Sequence, residues 1–451
     1  MNILTNNNTA PKIYIKTYGC QMNSYDSDRM LELFLSNGYK PQNTYQGANL
    51  VILNTCHIRE KASEKVYSEL GKINKEKQLL SKENKKMVIA VAGCVAQAEG
   101  DQIIKRAPYV DVIVGPQSYH NLVGLVQRIN QNKTIDKVNL DFIEEEKFDH
   151  LPEERVQNNI SAFLSIQEGC DKFCTYCVVP YTRGAEFSRP AEKIISEAKT
   201  LIDSGVKEIT LLGQNVNAYH GTDDKGNSIS LGKLIMSLEE LSGLERIRYT
   251  TSHPNDMHDE LYEAHAGCKK LMPYLHLPVQ SGSNKILKLM NRKHKIETYL
   301  EVIKKLEIAR PDIVFSSDFI VGFPGETEQD FNDTLKLVEQ VNFAGCYSFK
   351  FSSRPGTPAA NYENHISEEI KSSRLQELQS LINKKQYDFN KSFLDKEISI
   401  LFDRKNGDQL IGRSSYLQPV CVPYNAKYFN AICTVKISHT GPHSLNGDVT
   451  C

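Results

Sequence analysis

The sequence predicts an α/β protein with three regions: a parallel-sheet α/β domain at 11–140, a partial (β/α)6 barrel at 159–394 and a small all-β barrel at 395–451. Three observations support this division. A strand, cysteine and helix unit occurs three times near the N-terminus, six strands alternate with helices in the middle, and short β segments with Gly and Pro end the chain. An acidic linker at 141–158 separates the first two regions.

Each strand of the first region leads to a cysteine. Strand 12–17 precedes Cys20, strand 50–54 precedes Cys56 and strand 87–92 precedes Cys94; helices are predicted at 24–35 and 59–70. The cysteine spacings of 36 and 38 residues are typical of successive βα units in a parallel sheet. Ligands gather at the carboxyl edge of such a sheet. We therefore expect the three thiols to lie side by side, although three buried cysteines acting as small hydrophobes are the alternative.

The middle region reads as six βα units. A barrel of this kind carries its function at the C-terminal ends of its strands. Helices are predicted at 191–201 and 328–341, and a long helix at 367–393 closes the region. The strands are predicted at 161–166, 208–212, 247–251, 274–277, 314–321 and 346–351.

The C-terminal region changes to β-rich segments at 398–402, 420–423 and 432–437. From residue 396 onward it holds six basic and four acidic residues, counting Lys, Arg, Asp and Glu. That surplus is compatible with RNA binding, but a generic solvated barrel surface explains it equally well.

A loop with three cysteines, Cys170, Cys174 and Cys177, follows the first strand of the middle region. A structural zinc site needs four Cys or His ligands, and the nearest histidine, His150, lies outside the loop. Clustered thiolates are the ligands of iron–sulfur clusters. Three thiolates leave one iron of a cubane open, so the loop predicts a cluster that takes part in chemistry.

Composition excludes several classes of protein. Lys and Arg total 54 against 55 for Asp and Glu, so no global basic field indicates nucleic acid and any RNA contact must be local. The first residues lack a signal-peptide pattern and no apolar run reaches membrane-spanning length. We expect a cytosolic protein without a membrane partner, in which eleven cysteines serve as metal ligands, catalytic groups or buried hydrophobes.

The cysteine loop, with Tyr176 before its last thiol, resembles the signature of the radical S-adenosylmethionine superfamily. The arrangement of the three regions resembles the methylthiotransferase family, with a C-terminal module similar to the RNA-binding TRAM domain at Gly412-Arg413. Within that family, Tyr18-Gly19-Cys20-Gln21-Met22-Asn23 is similar to the pattern of the MiaB group, which acts on prenylated adenosine. Further similar segments lie at 54–59, 93–97, 180–184, 211–219, 276–283 and 318–327.

The resemblance implies two 4Fe-4S clusters, one on Cys170, Cys174 and Cys177 and an auxiliary one on Cys20, Cys56 and Cys94. It implies S-adenosyl-L-methionine on the open iron of the first cluster, cleaved to a radical. Carbon 2 of adenine carries a hydrogen that no side-chain acid or base removes at neutral pH, so a cofactor must supply that chemistry. Two cofactor molecules would be consumed per methylthio group added next to the anticodon, at position 37.

The implied partners are the tRNA anticodon stem-loop and a low-potential electron donor similar to flavodoxin or ferredoxin, and the expected state is a monomer. The resemblance also implies cofactor contacts, although structural turns are the alternative for several of them. The expected cofactor-binding residues are Tyr176, Gly213, Gln214, Asn215, Gln280, Ser281, Gly322, Phe323 and Pro324.

RNA would require phosphate contacts and stacking aromatics. The candidates for phosphate are Arg183, Arg189, Arg292 and Lys293, and those for stacking are Phe187, Tyr219 and Tyr249, for which barrel core is the alternative. The cysteines at 268, 346, 421, 433 and 451 lack a ligand-like arrangement and are expected to act as hydrophobes.

Two other functions compete with a MiaB-type activity. One is a methylthiotransferase acting on a ribosomal protein or on threonylcarbamoyl-adenosine of tRNA. The other is a noncatalytic iron–sulfur RNA-binding module that senses redox state, which does not require a six-unit barrel.

Overall fold

The computed structural model describes residues 10–56, 60–142, 146–152, 155 and 159–450. It forms two compact units, of which the first lies within Met1–Val156 and also includes Val178–Phe187, and the second comprises Gln157–Cys177 and Ser188–Cys451. The segment after the cysteine loop therefore belongs to the first unit, which a contiguous boundary near 159 does not anticipate. The motif residues 57–59, the first nine residues, much of the acidic linker and Cys451 lie outside the described residues.

The first unit contains the predicted parallel sheet. Its six strands follow the order β2-β1-β3-β4-β5-β6 and all its pairings are parallel. The two central strands are buried along their whole length because apolar clusters cover both faces of the sheet. The strands are β1 Lys12–Thr17, β2 Lys40–Pro41, β3 Leu50–Thr55, β4 Val88–Gly93, β5 Val112–Val114 and β6 Val138–Asn139.

The helices of the first unit begin or end away from several predicted bounds. The first helix starts immediately after Cys20, and the second runs well past the predicted end at residue 70. The helices are α1 Gln21–Leu35, α2 Glu60–Lys82, α3 Cys94–Glu99, α4 Asp101–Arg106, α5 Leu122–Asn130, α6 Glu146–Asp149 and α7 Val179–Arg183.

The second unit confirms the alternation of strands and helices. Two three-stranded parallel sheets, β13-β10-β7 and β14-β15-β16, are linked by a parallel bridge between Ile247 and Leu271. The strands are β7 Ser161–Ser165, β8 Gln167–Glu168, β9 Phe187–Ser188, β10 Glu208–Leu212, β11 His220–Thr222, β12 Ser228–Ser230, β13 Arg246–Thr250, β14 Tyr274–His276, β15 Val314–Val321 and β16 Phe343–Lys350. The helices are α8 Ala191–Asp203, α9 Leu231–Glu239, α10 Asp259–Gly267, α11 Asn284–Leu289, α12 Ile296–Ala309, α13 Glu328–Gln340 and α14 Glu368–Lys391.

A closed five-stranded barrel ends the second unit, in the order β17-β18-β19-β21-β20. Its core contains Ile400, Phe402, Val420 and Val435. Two of its strands, β18 and β21, were not predicted. The strands are β17 Glu397–Asn406, β18 Gln409–Ser414, β19 Pro419–Pro423, β20 Ala431–Thr440 and β21 Leu445–Val449.

A buried ion cluster joins this barrel to the βα strands of the same unit. Glu208 is 1% exposed, and its carboxylate accepts from Arg248 Nε at 2.9 Å and lies 3.3 Å from Arg413 Nη2. Arg246 lies 3.8 Å from the same carboxylate, and Arg413 also pairs with Asp403 at 2.7 Å. The guanidinium of the Gly412-Arg413 motif is therefore engaged inside the fold.

None of the helices in the described part of the chain combines the length and the apolarity needed to cross a membrane.

Candidate functional site

Three cysteines follow adjacent strands at the carboxyl edge of the first sheet. Cys20 is the N-cap of α1, Cys56 directly follows β3, and Cys94 is the first residue of α3 directly after β4. Since β1, β3 and β4 are neighbours in the sheet, the βα repeat places all three thiols at the same edge.

The thiols of this first triad interact with one another. A hydrogen bond from the Cys56 thiol lowers the pKa of Cys20 to about 6. Burial raises the pKa of Cys94, and the negative charge of Cys20 raises it further. Gly19, at φ +108°, leaves no room for a side chain, because a Cβ there would overlap the Cβ and Sγ of Cys56. The chain therefore brings these loops into direct contact.

Polar side chains hold the strand ends that carry the triad. Asn23 Nδ2 donates to the carbonyls of Tyr18 at 2.9 Å and of Thr55 at 2.8 Å. Asn54 Nδ2 donates to the carbonyl of Asn23 at 2.8 Å, and the Thr55 hydroxyl donates to the carbonyl of Ala92 at 2.6 Å. These bonds connect the three loops to one another, so the spacing of the thiols is fixed by the fold.

Arg183 was predicted to contact phosphate, and that prediction is wrong because the side chain is 3% exposed. Its Nη2 donates to Asp26 Oδ2 at 2.7 Å and to Asn23 Oδ1 at 3.2 Å, within the first unit. Its positive charge acts on both Cys20 and Cys94. The guanidinium is a buried cation beside the first triad.

Within the described residues, no three His, Cys, Asp or Glu side chains converge as ligands of one metal ion. A cubane makes a different demand, because each thiolate binds a different iron and the thiolates need not meet at one point. Three thiols at one sheet edge, with a buried guanidinium beside them, fit an anionic iron–sulfur cluster.

The second triad, Cys170, Cys174 and Cys177, lies in the loop that follows β8 in the second unit. The loop is clamped at its middle, where Thr175 N donates to Met290 O at 3.0 Å and Ala359 N donates to Thr175 O at 2.9 Å. Asn291 Nδ2 donates to Phe173 O at 2.9 Å. Cys174 is buried and the two flanking cysteines are partly exposed, as expected of a site that must admit a ligand.

Arg292 was also predicted to contact phosphate, and its burial makes that prediction wrong. Its Nη1 lies 3.7 Å from Cys174 Sγ, and its Nη2 donates to the carbonyl of Pro278. Burial alone would lower the pKa of the guanidinium, but Tyr176 and the thiol of Cys174 raise it. Each triad therefore has one buried arginine beside it.

The Gly213-Gln214-Asn215 turn anchors the start of the second triad's loop. Gln214 Oε1 accepts from Gly169 N at 2.5 Å, and Asn215 Nδ2 donates to Asp256 Oδ2 at 2.9 Å. Gln214 Nε2 and Asn215 Oδ1 are buried and have no hydrogen-bond partner among the described residues. A cofactor with an amino and a carboxylate group would supply such partners, so these two residues fit the predicted role.

Gly213 and Tyr176 support the same loop. A Cβ on Gly213 would press against Gln167, whose Oε1 accepts from Asn215 N at 3.0 Å. Burial raises the pKa of Tyr176 well above its ordinary value, and Cys174 raises it further. The tyrosine hydroxyl therefore stays protonated beside the thiols.

Gln280 and Ser281 differ in what they can offer to a ligand. Gln280 has a φ of +79°, and its backbone bonds to Asp318 O and Ile320 N continue the sheet. Ser281 is fully buried, and its hydroxyl accepts from Ser283 N at 3.2 Å. The Ser281 hydroxyl is engaged inside the fold, and the cofactor contacts expected of Gln280 and Ser281 remain predictions.

The Gly322-Phe323-Pro324 turn is packed from both sides. A Cβ on Gly322 would overlap the Lys371 side chain, and Gly322 N donates to Glu326 Oε2 at 2.7 Å. Phe323 is fully buried, and Pro324 is buried beside it. Lys371 packs closely against Gly322, and the cofactor contacts expected of Gly322, Phe323 and Pro324 remain predictions.

Polar side chains to which the sequence analysis gave no role in the site share one face of β14, β15 and β16. His276 Nδ1 lies 2.8 Å from Ser316 Oγ, and His276 Nε2 lies 3.5 Å from Asp318 Oδ2. The Tyr347 ring meets the His276 ring edge to face at 6.3 Å and is 61% exposed. Asp318 also acts electrostatically on Tyr176. We call His276, Ser316, Asp318 and Tyr347 the polar face; only the register of the strands reveals it.

Most of the remaining residues predicted to contact RNA are buried, so those predictions are wrong. Arg189 is 5% exposed and pairs with Glu197 at 2.7 Å, so its phosphate role is wrong. Tyr219 and Tyr249 are buried, and their stacking role is wrong for the same reason. Lys293 is exposed and Phe187 partly so; both remain predictions. Among the cysteines expected to act as hydrophobes, Cys268 and Cys433 are buried and Cys346 and Cys421 are partly buried.

Two family models match the chain. Residues 164–338 match the Radical SAM superfamily, and residues 12–115 match a family described as Uncharacterized protein family UPF0004. The first match implies a 4Fe-4S cluster and S-adenosylmethionine. Together the two matches make the chain similar to radical S-adenosylmethionine methylthiotransferases over residues 12–115 and 164–338.

Solved structures similar to this chain share its fold at low identity. The radical S-adenosylmethionine methyltransferase TsrM from Kitasatospora setae has a TM-score of 0.59 at 11% identity, covering 78% of this chain and 77% of that one. The cobalamin-dependent S-adenosylmethionine radical enzyme OxsB has a TM-score of 0.54 at 12% identity, covering 83% of this chain. The present chain spans 56% of OxsB. These likenesses show the radical S-adenosylmethionine fold.

Proposed function

We propose that the chain is a tRNA methylthiotransferase that adds a methylthio group to carbon 2 of N6-(dimethylallyl)adenosine at position 37, as a tRNA-2-methylthio-N6-dimethylallyladenosine synthase. One observation carries the proposal: each compact unit holds three cysteines in loops that follow strands, with a buried arginine beside them. One triad suits radical generation and the other suits a source of sulfur.

The second triad, Cys170, Cys174 and Cys177, would hold the radical-generating 4Fe-4S cluster, which when bound supplies the electron that cleaves S-adenosylmethionine. Gln214 and Asn215 offer buried, unpaired polar atoms next to this loop. The residues of the chain thus bind and orient the cofactor and keep the loop rigid.

The first triad, Cys20, Cys56 and Cys94, would hold the auxiliary 4Fe-4S cluster, and the UPF0004 match covers all three residues. The hydrogen bond between the thiols of Cys20 and Cys56 supports a single cluster rather than three separate buried cysteines. The hydrogen bonds that connect the three strand ends support the same reading. Two molecules of S-adenosylmethionine would be used for each product, one as methyl donor and one as radical source.

The polar face supports a planar aromatic substrate. Tyr347 offers an exposed ring on which a base can stack, and base–aromatic stacking contributes about 1–3 kcal/mol. Asp318 can accept hydrogen bonds and His276 can donate or accept them, so the edge of a purine finds partners beside the ring.

The C-terminal barrel supports RNA over a protein substrate. Tyr424 and Phe429 are exposed aromatic side chains on it, and Lys405 Nζ lies 4.0 Å from the centre of the Tyr424 ring. Cations interleaved with exposed rings are typical of single-stranded nucleic-acid surfaces. This observation favours tRNA over the ribosomal protein that a related methylthiotransferase would modify.

The test is an anaerobic assay of reconstituted protein with reductant and S-adenosylmethionine. Its arms are isopentenylated tRNA, unmodified tRNA, threonylcarbamoylated tRNA and ribosomal protein, with products identified by mass. We expect the methylthio group only on the isopentenylated adenosine. Modification of ribosomal protein alone would contradict the substrate, and absence of 5′-deoxyadenosine in all arms would favour the redox-sensor alternative.

A further inference from the structure

The segment Val178–Phe187 follows the second triad in the sequence yet belongs to the first unit. Gln117 Nε2 donates to the carbonyl of Arg183 in this segment at 3.0 Å, which fixes its backbone within the unit. The side chain of Arg183 is 3% exposed. A stretch that begins one residue after Cys177 thus delivers a buried cation to the other cysteine triad.

The guanidinium reaches the first triad through a shared acceptor. Asn23 Oδ1 accepts from Arg183 Nη2 at 3.2 Å and lies 3.8 Å from Cys20 Sγ. Arg183 also forms a hydrogen bond with Cys94 and attracts the negative charge of both thiolates. Arg183 therefore acts on two of the three thiols.

Asp26 links the guanidinium of Arg183 to a second buried cation. Asp26 Oδ2 accepts from Arg183 at 2.7 Å, and Asp26 Oδ1 lies 3.3 Å from Lys147 Nζ, which is fully buried. Arg183 and Lys147 thus share the carboxylate of Asp26. Burying a charge is costly unless an opposite charge lies nearby, so an anionic group on the triad would suit the guanidinium.

We propose that the buried guanidinium of Arg183 raises the reduction potential of the cluster held by Cys20, Cys56 and Cys94. The carboxylate of Asp26 lowers the same potential. The inference rests on the proposed function, which assigns that cluster to the triad. Reduction adds negative charge to the cluster, and a nearby buried cation stabilises the reduced form. Net charge and hydrogen bonds to the sulfurs are known to set cluster potentials.

The proposal predicts opposite shifts for two substitutions. Arg183→Gln removes the cation, so the ratio of reduced to oxidised cluster at a fixed potential should fall roughly ten-fold, which is about 59 mV for a one-electron couple. Asp26→Asn leaves the guanidinium uncompensated, so the ratio should rise. A purely structural tie between Arg183 and Asp26 would instead make both variants behave alike, since each breaks the same bond.

The experiment uses the full chain with Cys170, Cys174 and Cys177 replaced by alanine, so that only the first triad can hold a cluster. After anaerobic reconstitution, iron is counted and the cluster is titrated against a redox scale by electron paramagnetic resonance. Arg183→Lys keeps the charge and should stay within about three-fold of the parent. Arg189→Gln, which removes a buried arginine from the second unit, is the matched control and should change nothing.

The outcomes separate the inference from the proposed function. Opposite shifts for Arg183→Gln and Asp26→Asn, with Arg183→Lys near the parent, support the inference. If the parent holds about four irons and the potentials do not move, or both variants shift in the same direction, the inference is overturned and the cluster stands. If the parent holds no iron, the auxiliary cluster of the proposed function fails and the inference fails with it.

Discussion

Replacing Glu208 by glutamine should strongly destabilise the second unit. The carboxylate is 1% exposed and is surrounded by Arg246, Arg248 and Arg413. Removing it leaves the buried guanidiniums of Arg246 and Arg248, and the partly exposed one of Arg413, without this carboxylate. Breaking a buried ion pair in this way costs about 3–5 kcal/mol. We expect the free energy of unfolding to fall by that amount.

The same substitution should loosen the C-terminal barrel. Arg246 donates to the carbonyls of Ser399 and Arg413, and Arg248 donates to the carbonyls of Ser414 and Ser415, so the ion cluster orients the donors that hold the barrel. Protease cleavage after Lys391 or Lys396, at the junction before the barrel, should become faster in the variant.

Urea unfolding followed by far-UV circular dichroism measures the effect, because the chain has no tryptophan for fluorescence. Glu245→Gln is the matched control: Glu245 pairs with Lys207 at 2.7 Å, but both side chains are 43% exposed, so its loss should cost less than about 1 kcal/mol. Equal effects of the two substitutions would refute the reasoning.

The pH dependence gives a second check on Glu208. Burial raises the pKa of its carboxyl, but Arg248, Arg413 and Arg246 outweigh burial and lower it. A lowered pKa contributes stability above the unfolded-state value, near pH 4.3, and that contribution is lost as pH falls through the folded-state pKa. The difference between the wild type and Glu208→Gln should therefore shrink in acid.

Three further substitutions test other parts of the structure. Gly93→Ala, at φ +90°, adds a Cβ against the neighbouring strand and should lower the free energy of unfolding in urea by more than about 2 kcal/mol. Its control is Gly38→Ala, at φ +81° in open space, which should lower it by only about 1 kcal/mol. Tyr347→Leu should weaken binding of an isopentenylated anticodon stem-loop roughly ten-fold at unchanged iron content, whereas Tyr387→Leu, on an exposed helix surface, should not. Burial raises the pKa of Asp28 to about 6, so stability should decline as pH rises from about 4 through 6, and Asp28→Asn should melt higher than wild type at pH 8 but not at pH 4.

The strand–cysteine repeat was predictable because both signals are local. A buried apolar strand followed by a loop cysteine specifies Cys20, Cys56 and Cys94 as neighbours once the strands are parallel. The strand β18 was missed because Gly412 interrupts its alternation; the structure explains the glycine, since a Cβ there would overlap the carbonyl of Leu401.

The charged and aromatic site residues were harder to predict. Arg183, Arg189 and Arg292 look alike in sequence, but each is buried by contacts with residues distant in the chain, and a sequence pattern does not distinguish a solvated guanidinium from one paired inside the fold. Tyr347 was missed for the opposite reason: it lies inside a strand, where aromatics usually pack into the core, and only the register shows its exposed ring.

The most direct test of the account is the iron content of the anaerobically reconstituted chain and its two triad variants. The account predicts about eight irons per chain for the wild type and about four for each variant, with Cys20, Cys56 and Cys94 or with Cys170, Cys174 and Cys177 replaced by alanine. A wild type with about four irons, unchanged when Cys20, Cys56 and Cys94 are removed, would contradict it.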